Sequence, residues 1–182
     1  MVDLRLYCKS PSSLLSLIMV MSLVSFWGHV SADEVANIPE AQMLNLKDMD
    51  GNKKNLHDYQ IEGKWLVAMI WQSDCHICNQ EAQSYVAWFE KNRSGNSTLM
   101  GISTDGWDGR QAAQGFIDKH KVTFPNTLIS YEALNEYYAN LVGQAFIGTP
   151  SFLVYAPSGE LMATQSGAVP TKLIDQYILK NN

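Results

Sequence analysis

Two cysteines stand two residues apart in "IWQSDCHICNQEAQSY", residues 70–85, with a histidine and an isoleucine between them. At this spacing Cys75 and Cys78 can trade electrons as a dithiol and disulfide, supply two ligands to a metal, or staple a loop. A disulfide closing two intervening residues removes little entropy from the unfolded chain, because that stabilisation grows with loop length. Thiol exchange is therefore the favoured chemistry, with a structural disulfide and a metal site as alternatives. A closed zinc site wants four ligands and one CxxC supplies two. His76 adds a third only with strained local geometry, and neither His57 nor His120 has a spacing that ties it to the pair. Covalent haem attachment needs a histidine directly after the second cysteine, where this chain has Asn79. No metal and no cofactor is expected.

The flanking patterns say what must hold the pair. "KWLVAMIWQ", residues 64–72, is a nearly continuous apolar run bounded by Gly63, as a strand buried on both faces requires. From Asn79 the period changes: Ala82, Tyr85, Val86 and Phe89 fall at i, i+3, i+4 and i+7 of an amphipathic helix. The cysteines thus sit where a central strand meets a helix N-terminus, whose free N–H groups and dipole favour a thiolate. Cys75 is expected as the exposed nucleophile and Cys78, one turn in, as the resolving thiol.

The remaining elements follow by the same reading. Alternation on both sides of Asp50-Gly51 predicts a β-hairpin ahead of the central strand. Residues 97–103 read as a strand, "GRQAAQGFIDKHK" as a helix, the stretch near "NTLIS" as a short strand, and "YEALNEYYANLVG" as a helix. A hairpin turning at Pro157-Ser158-Gly159 and a closing helix after Pro170 complete the chain. Such an alternation gives an α/β fold, a mixed central sheet flanked by helices with an added N-terminal β-hairpin.

Composition narrows the setting. Arg5 and Lys9 precede an apolar run over residues 14–27, which ends in Val30-Ser31-Ala32, the three-part plan of a secretory signal cut after residue 32. The run is 14 residues long, short of the roughly 20 that span a bilayer; an uncleaved membrane anchor through residues 14–27 is the alternative. Residues 33–182 then form one domain. Cys8 lies in the leader, leaving Cys75 and Cys78 without competing partners. The formal net charge of −5 carries no footprint for nucleic acid.

With these pieces in place, the chain resembles the thioredoxin superfamily and, within it, the exported TlpA/ResA-like thiol-disulfide oxidoreductases, over roughly residues 40–180. The carriers are the strand with its CHIC pair, "GISTD" at 101–105, "FIDKHKVTFP" at 116–125 and "IGTPSFLVYAPSGEL" at 147–161. The resemblance implies a thioredoxin-like fold, a cis Pro150 facing the cysteines, and Thr149 presenting its backbone to substrate chains. It also matches Glu81 to an acid that influences protonation of the pair, and Trp71 to an aromatic four residues before Cys75. Met69, Asp74 and the His76-Ile77 dipeptide depart from the common pattern and leave the redox potential unread.

Each candidate has a plainer reading. His76 stabilises the Cys75 thiolate as an imidazolium or is a solvated loop residue, while Asp74 works against the thiolate. Glu81 handles the proton of Cys78 or merely suits the helix dipole. Trp71 touches substrate or, the favoured reading, packs in the core. The expected activity is reduction of protein disulfides in the periplasm, with a membrane electron-transfer partner implied by the resemblance. The rivals are a disulfide oxidase or isomerase on the same site and a copper-handling metallochaperone on the same fold. A peroxidase of the related peroxiredoxin plan is disfavoured, since that plan wants Thr where this chain has Gln72.

Overall fold

The computed structural model describes residues 5–6 and 45–182. The expected leader and its apolar run over 14–27 therefore lie outside the described residues, apart from the backbone of β1 (Arg5–Leu6). The other strands are β2 (Leu46–Asp48), β3 (Lys53–Lys54), β4 (Trp65–Trp71), β5 (Ser97–Ser103), β6 (Asn126–Leu128), β7 (Ser151–Tyr155) and β8 (Leu161–Ser166). The helices are α1 (His76–Asn92), α2 (Arg110–His120), α3 (Tyr131–Val142) and α4 (Thr171–Asn181). The strands form one mixed sheet in the order β1-β8-β7-β4-β5-β6-β2-β3. At its centre, β4 runs parallel to β5 and antiparallel to β7.

All seven residues of β4 are buried, so the apolar run in the sequence is explained by cover on both faces. Its alternate residues feed two cores. Trp65, Val67, Met69 and Trp71 pack with Cys78, Ala82, Tyr85 and Trp88 of α1, Phe116 of α2 and Ile174 of α4. Leu66, Ala68 and Ile70 face the other way, onto Leu134 and Tyr138 of α3, with Leu56 and Phe146. Truncating one of the larger of these strand side chains to Ala would cost about 2–5 kcal/mol. The central strand is thereby a rigid support for the residues that follow it.

The expected hairpin is β2 and β3, paired at Leu46 with Lys54 and Lys47 with Lys53. Asp48 closes its turn, accepting the backbone N–H groups of Asp50 (3.0 Å) and Asn52 (2.8 Å). Gly51 has φ +92°, and a Cβ there would also lie 2.8 Å from the Trp107 ring, so backbone and packing both require glycine. Trp107 itself is flanked by Lys47 Nζ and the Arg110 guanidinium, 5.1 and 5.0 Å from the ring centroid. The loop before α2 is thus docked onto the hairpin. Among the described residues, no helix is long and apolar enough to cross a membrane.

Candidate active site

α1 starts at His76, three residues before the periodicity alone suggests, because Cys75 caps it. The Cys75 backbone is extended (φ −64°, ψ 113°), and its Sγ accepts the Cys78 N–H at 3.0 Å. That contact is the N-cap geometry usually supplied by Ser or Asp, here made by sulfur. The two cysteines form a disulfide with a Cα–Cα distance of 5.2 Å. They are unequal: Cys75 is half-buried, whereas Cys78 is 0 % exposed beneath it.

Opposite the pair lies the segment before β7. The Thr149-Pro150 peptide bond is cis, and Thr149 O stands 3.5 Å from Cys75 Sγ. Pro150 is buried and its carbonyl accepts the Gly167 N–H at 2.8 Å, while Ser151 Oγ donates to Gly148 O at 2.6 Å. Thr149 therefore offers a backbone edge beside the reachable sulfur.

The turn from β4 into α1 is held from two directions. Asp105, just beyond β5, accepts the Ser73 N–H at 3.0 Å, the Ser73 hydroxyl at 2.7 Å and the Ser103 hydroxyl at 2.6 Å. Asn79 Nδ2 donates to Ser73 O and Cys75 O, each at 3.0 Å. Its Oδ1 meets Lys119 Nζ and His120 Nε2, each at 2.9 Å. Burial, with the Lys119 charge beside it, holds the His120 imidazole below the usual histidine range.

The remaining candidates are placed as follows. Trp71, expected in the core or against substrate, lies in the core: it is 1 % exposed, stacks on Phe116 at 4.3 Å, and donates from Nε1 to Asn126 Oδ1 at 3.1 Å. No face of it is left for a substrate to touch. His76 and Ile77 are exposed at the start of α1, and Asp74 is exposed before the cap. Glu81 is half-buried one turn after Cys78. Near it, burial pushes the Tyr85 phenol up to about 12, against the opposing hydrogen bond to Val169 O and with a small addition from the Glu81 charge. Among the described residues no group of three or more His, Cys, Asp or Glu is arranged to hold a metal ion.

Asp105 and Asn79 were not singled out by the sequence reading. In the sequence Asp105 ends the "GISTD" stretch, and Asn79 marks the change of period and stands where a haem motif would have histidine. The contacts that join each of them to another segment, Asp105 to Ser73 and Asn79 to His120, span 32 and 41 residues, beyond any local signal.

A family model described as the AhpC/TSA family matches residues 38–164. Among solved structures, StoA from Bacillus subtilis aligns with a TM-score of 0.58 and 20 % identity over 75 % of this chain and 96 % of its own. A secreted Mycobacterium tuberculosis disulfide oxidoreductase, homologous to E. coli DsbE, aligns with a TM-score of 0.56 and 21 % identity over 75 % and 95 %. A thioredoxin family thiol:disulfide interchange protein from Chlorobium tepidum TLS gives 0.61 and 16 % over 74 % and 89 %. At such identities the likeness is one of fold, and the fold is thioredoxin-like. No match is found among curated protein sequences.

Proposed function

The chain belongs to the AhpC/TSA family, and on that premise we propose that it is a thiol-disulfide oxidoreductase that reduces protein disulfides in the periplasm. One observation carries the reading: a half-buried Cys75 caps α1 beside Thr149 O, with Cys78 buried directly behind it. Such a pair divides the labour that exchange requires, one sulfur for encounter and one for release.

In the dithiol state the Cys75 thiolate receives the Cys78 N–H and the positive end of α1. It attacks one sulfur of a substrate disulfide; the substrate S–S bond breaks and its other sulfur leaves as a thiolate that takes up a proton. Cys78 then loses its proton and attacks Cys75 Sγ in the mixed disulfide. The second substrate sulfur departs as a thiolate, and the Cys75–Cys78 disulfide remains. Two electrons have passed from the enzyme to the substrate. Glu81, one turn along α1, takes the Cys78 proton, and the Thr149-Pro150 backbone aligns the substrate strand. His76 supports the thiolate and Asp74 opposes it.

The leader-like residues 1–32 support the periplasmic assignment, as does the likeness to a secreted Mycobacterium tuberculosis oxidoreductase. Turnover in that compartment needs an electron donor, assigned to a membrane partner. The direction is tested by equilibrating the protein in defined thiol-disulfide buffers and trapping the thiols. A potential below about −230 mV supports a reductase, and one above about −180 mV assigns the site to oxidation or isomerisation. Normal reductase activity in Cys75→Ser would sink the proposal altogether.

A further inference from the structure

We infer that Asn79 is a positioning residue for Cys75: its side-chain amide ties the nucleophile's turn to the C-terminal end of α2, and this tie sets the reactivity of the Cys75 sulfur. The inference rests on the oxidoreductase reading above and names a residue outside the CxxC pair and the Thr149-Pro150 segment.

A primary amide has two N–H donors and two carbonyl lone pairs. In Asn79 all four are used, on Ser73 O, Cys75 O, Lys119 Nζ and His120 Nε2. The Asn79 backbone N–H also donates to Cys75 O at 3.0 Å, so one residue bonds that carbonyl twice. Donors converging on Oδ1, one of them an ammonium, polarise the amide and strengthen its N–H bonds on the other side. Lys119 is exposed and water screens its charge, so the firm anchor is His120, which is buried and packs on Phe116 with ring centroids 4.5 Å apart. Gln83 Nε2 adds a second tie by donating to His120 O.

The geometry converts this tie into chemistry. Cys75 Sγ lies 3.0 Å from the Cys78 N–H, and a hydrogen bond weakens steeply with misalignment. Fixing the Cys75 carbonyl restrains the backbone from which its Cβ projects, and with it how closely the sulfur can align on the Cys78 N–H. Asp105 holds the same turn from β5 through Ser73, so removing Asn79 frees one side while the other stays anchored. The ionisable groups around the sulfur are Asp74, His76 and Glu81 on its own segment, Lys119 and His120 on α2, and Asp105 beyond β5. Residues 146–151, which face it, carry none.

The test is the pH profile of Cys75 alkylation by iodoacetamide in the full reduced protein carrying Cys78→Ser, with thermal unfolding measured alongside. Asn79→Ala is expected to raise the midpoint by about half to one pH unit, which leaves roughly three- to tenfold less thiolate at a pH below both midpoints. His120→Phe keeps the ring packing but removes its donor, and is expected to move the midpoint the same way by a smaller step. It also keeps the test open if Asn79→Ala fails to fold. A midpoint within about 0.2 of the parent in both variants, whatever the change in melting temperature, would overturn the inference. Exchange of the wild-type dithiol with a protein disulfide such as that of insulin is measured separately. Absence of exchange there refutes the oxidoreductase reading, whereas exchange with unmoved midpoints refutes only the role of Asn79.

Discussion

Gly101→Ala should be among the most damaging single-methyl additions in this protein, and the structure says why. Gly101 lies in β5, and a Cβ there would fall 2.0 Å from Asn126 Oδ1 and 2.7 Å from Trp71 Nε1. Those two atoms form the buried bond that holds the last residue of β4. The methyl must displace the Asn126 amide, which is also tethered through Nδ2 to Phe124 O at 2.8 Å. Overpacking a tight core costs about 1–3 kcal/mol, and leaving a buried N–H without an acceptor costs about 1–3 kcal/mol. Both arise from one displacement, so their full sum overcounts, and about 3 kcal/mol is expected. Urea unfolding of the oxidised protein should show this as a lower midpoint with an unchanged slope. Asn126→Ala removes the nearer of the two obstacles and leaves the close approach to Trp71 Nε1. In that background Gly101→Ala should cost only about 1 kcal/mol, a coupling of about 2 kcal/mol. A single-variant cost below about 0.5 kcal/mol, or strict additivity of the two changes, would refute the account of Trp71 as a bonded core residue.

Three other outcomes follow from contacts already described. Asp105→Ala deletes three accepted bonds, two of them from Ser73, and should destabilise the fold by about 2 kcal/mol in urea titration, since bonds to a carboxylate each contribute about 1.5–3 kcal/mol before relaxation. His120 is held below its ordinary value of 6.5 by burial and then by Lys119. The unfolded chain therefore takes up the proton first, so its contribution is complete above pH 6.5 and is lost as pH falls through the lower folded value. The fall in stability on acidification should be shallower in His120→Asn than in the wild type. Tyr85 bonds both the Val169 carbonyl and its N–H, at 3.0 and 3.1 Å. Tyr85→Phe should cost about 1–2 kcal/mol at neutral pH. With the phenol raised from 10.0 to about 12, the wild type should lose stability between those values as pH rises, and the phenylalanine variant should lose less.

The elements that were legible in the sequence are those whose signal is carried by side-chain burial along one stretch. The run at 64–72 became β4, and the turn at Asp50-Gly51 became the β2–β3 hairpin, because apolar continuity and a positive φ are local demands. The pair was placed at the start of α1 by its position between strand and stripe, but the cap itself was not legible, because a thiol is a rare cap and the apolar stripe begins only at Cys78 and Ala82. Within the site, the Cys75–Cys78 pair was readable from type and spacing, whereas the cis Pro150 opposite it was implied by the family resemblance. The support for Cys75 was not: Asp105 and Asn79 act on it through Ser73 and the Cys75 carbonyl, and Asn79 is itself anchored by α2, contacts that exist only once the sheet brings distant segments together. For Trp71 the two readings made from type alone were separated by burial, which depends on Phe116 and Asn126.

The two residues of β3 have a bearing on how copies of this molecule meet. A sheet margin with unpaired N–H and C=O groups is a template for another strand, and long, flat, apolar margins are where chains aggregate. Here that margin is two residues long, and both are lysines, with Lys53 exposed and Lys54 Nζ 3.9 Å from Asp48. A second molecule approaching antiparallel would find few hydrogen bonds to make and would set its own lysine pair against this one. The hairpin that widens the sheet thus also ends it, in a form that discourages further strands from joining.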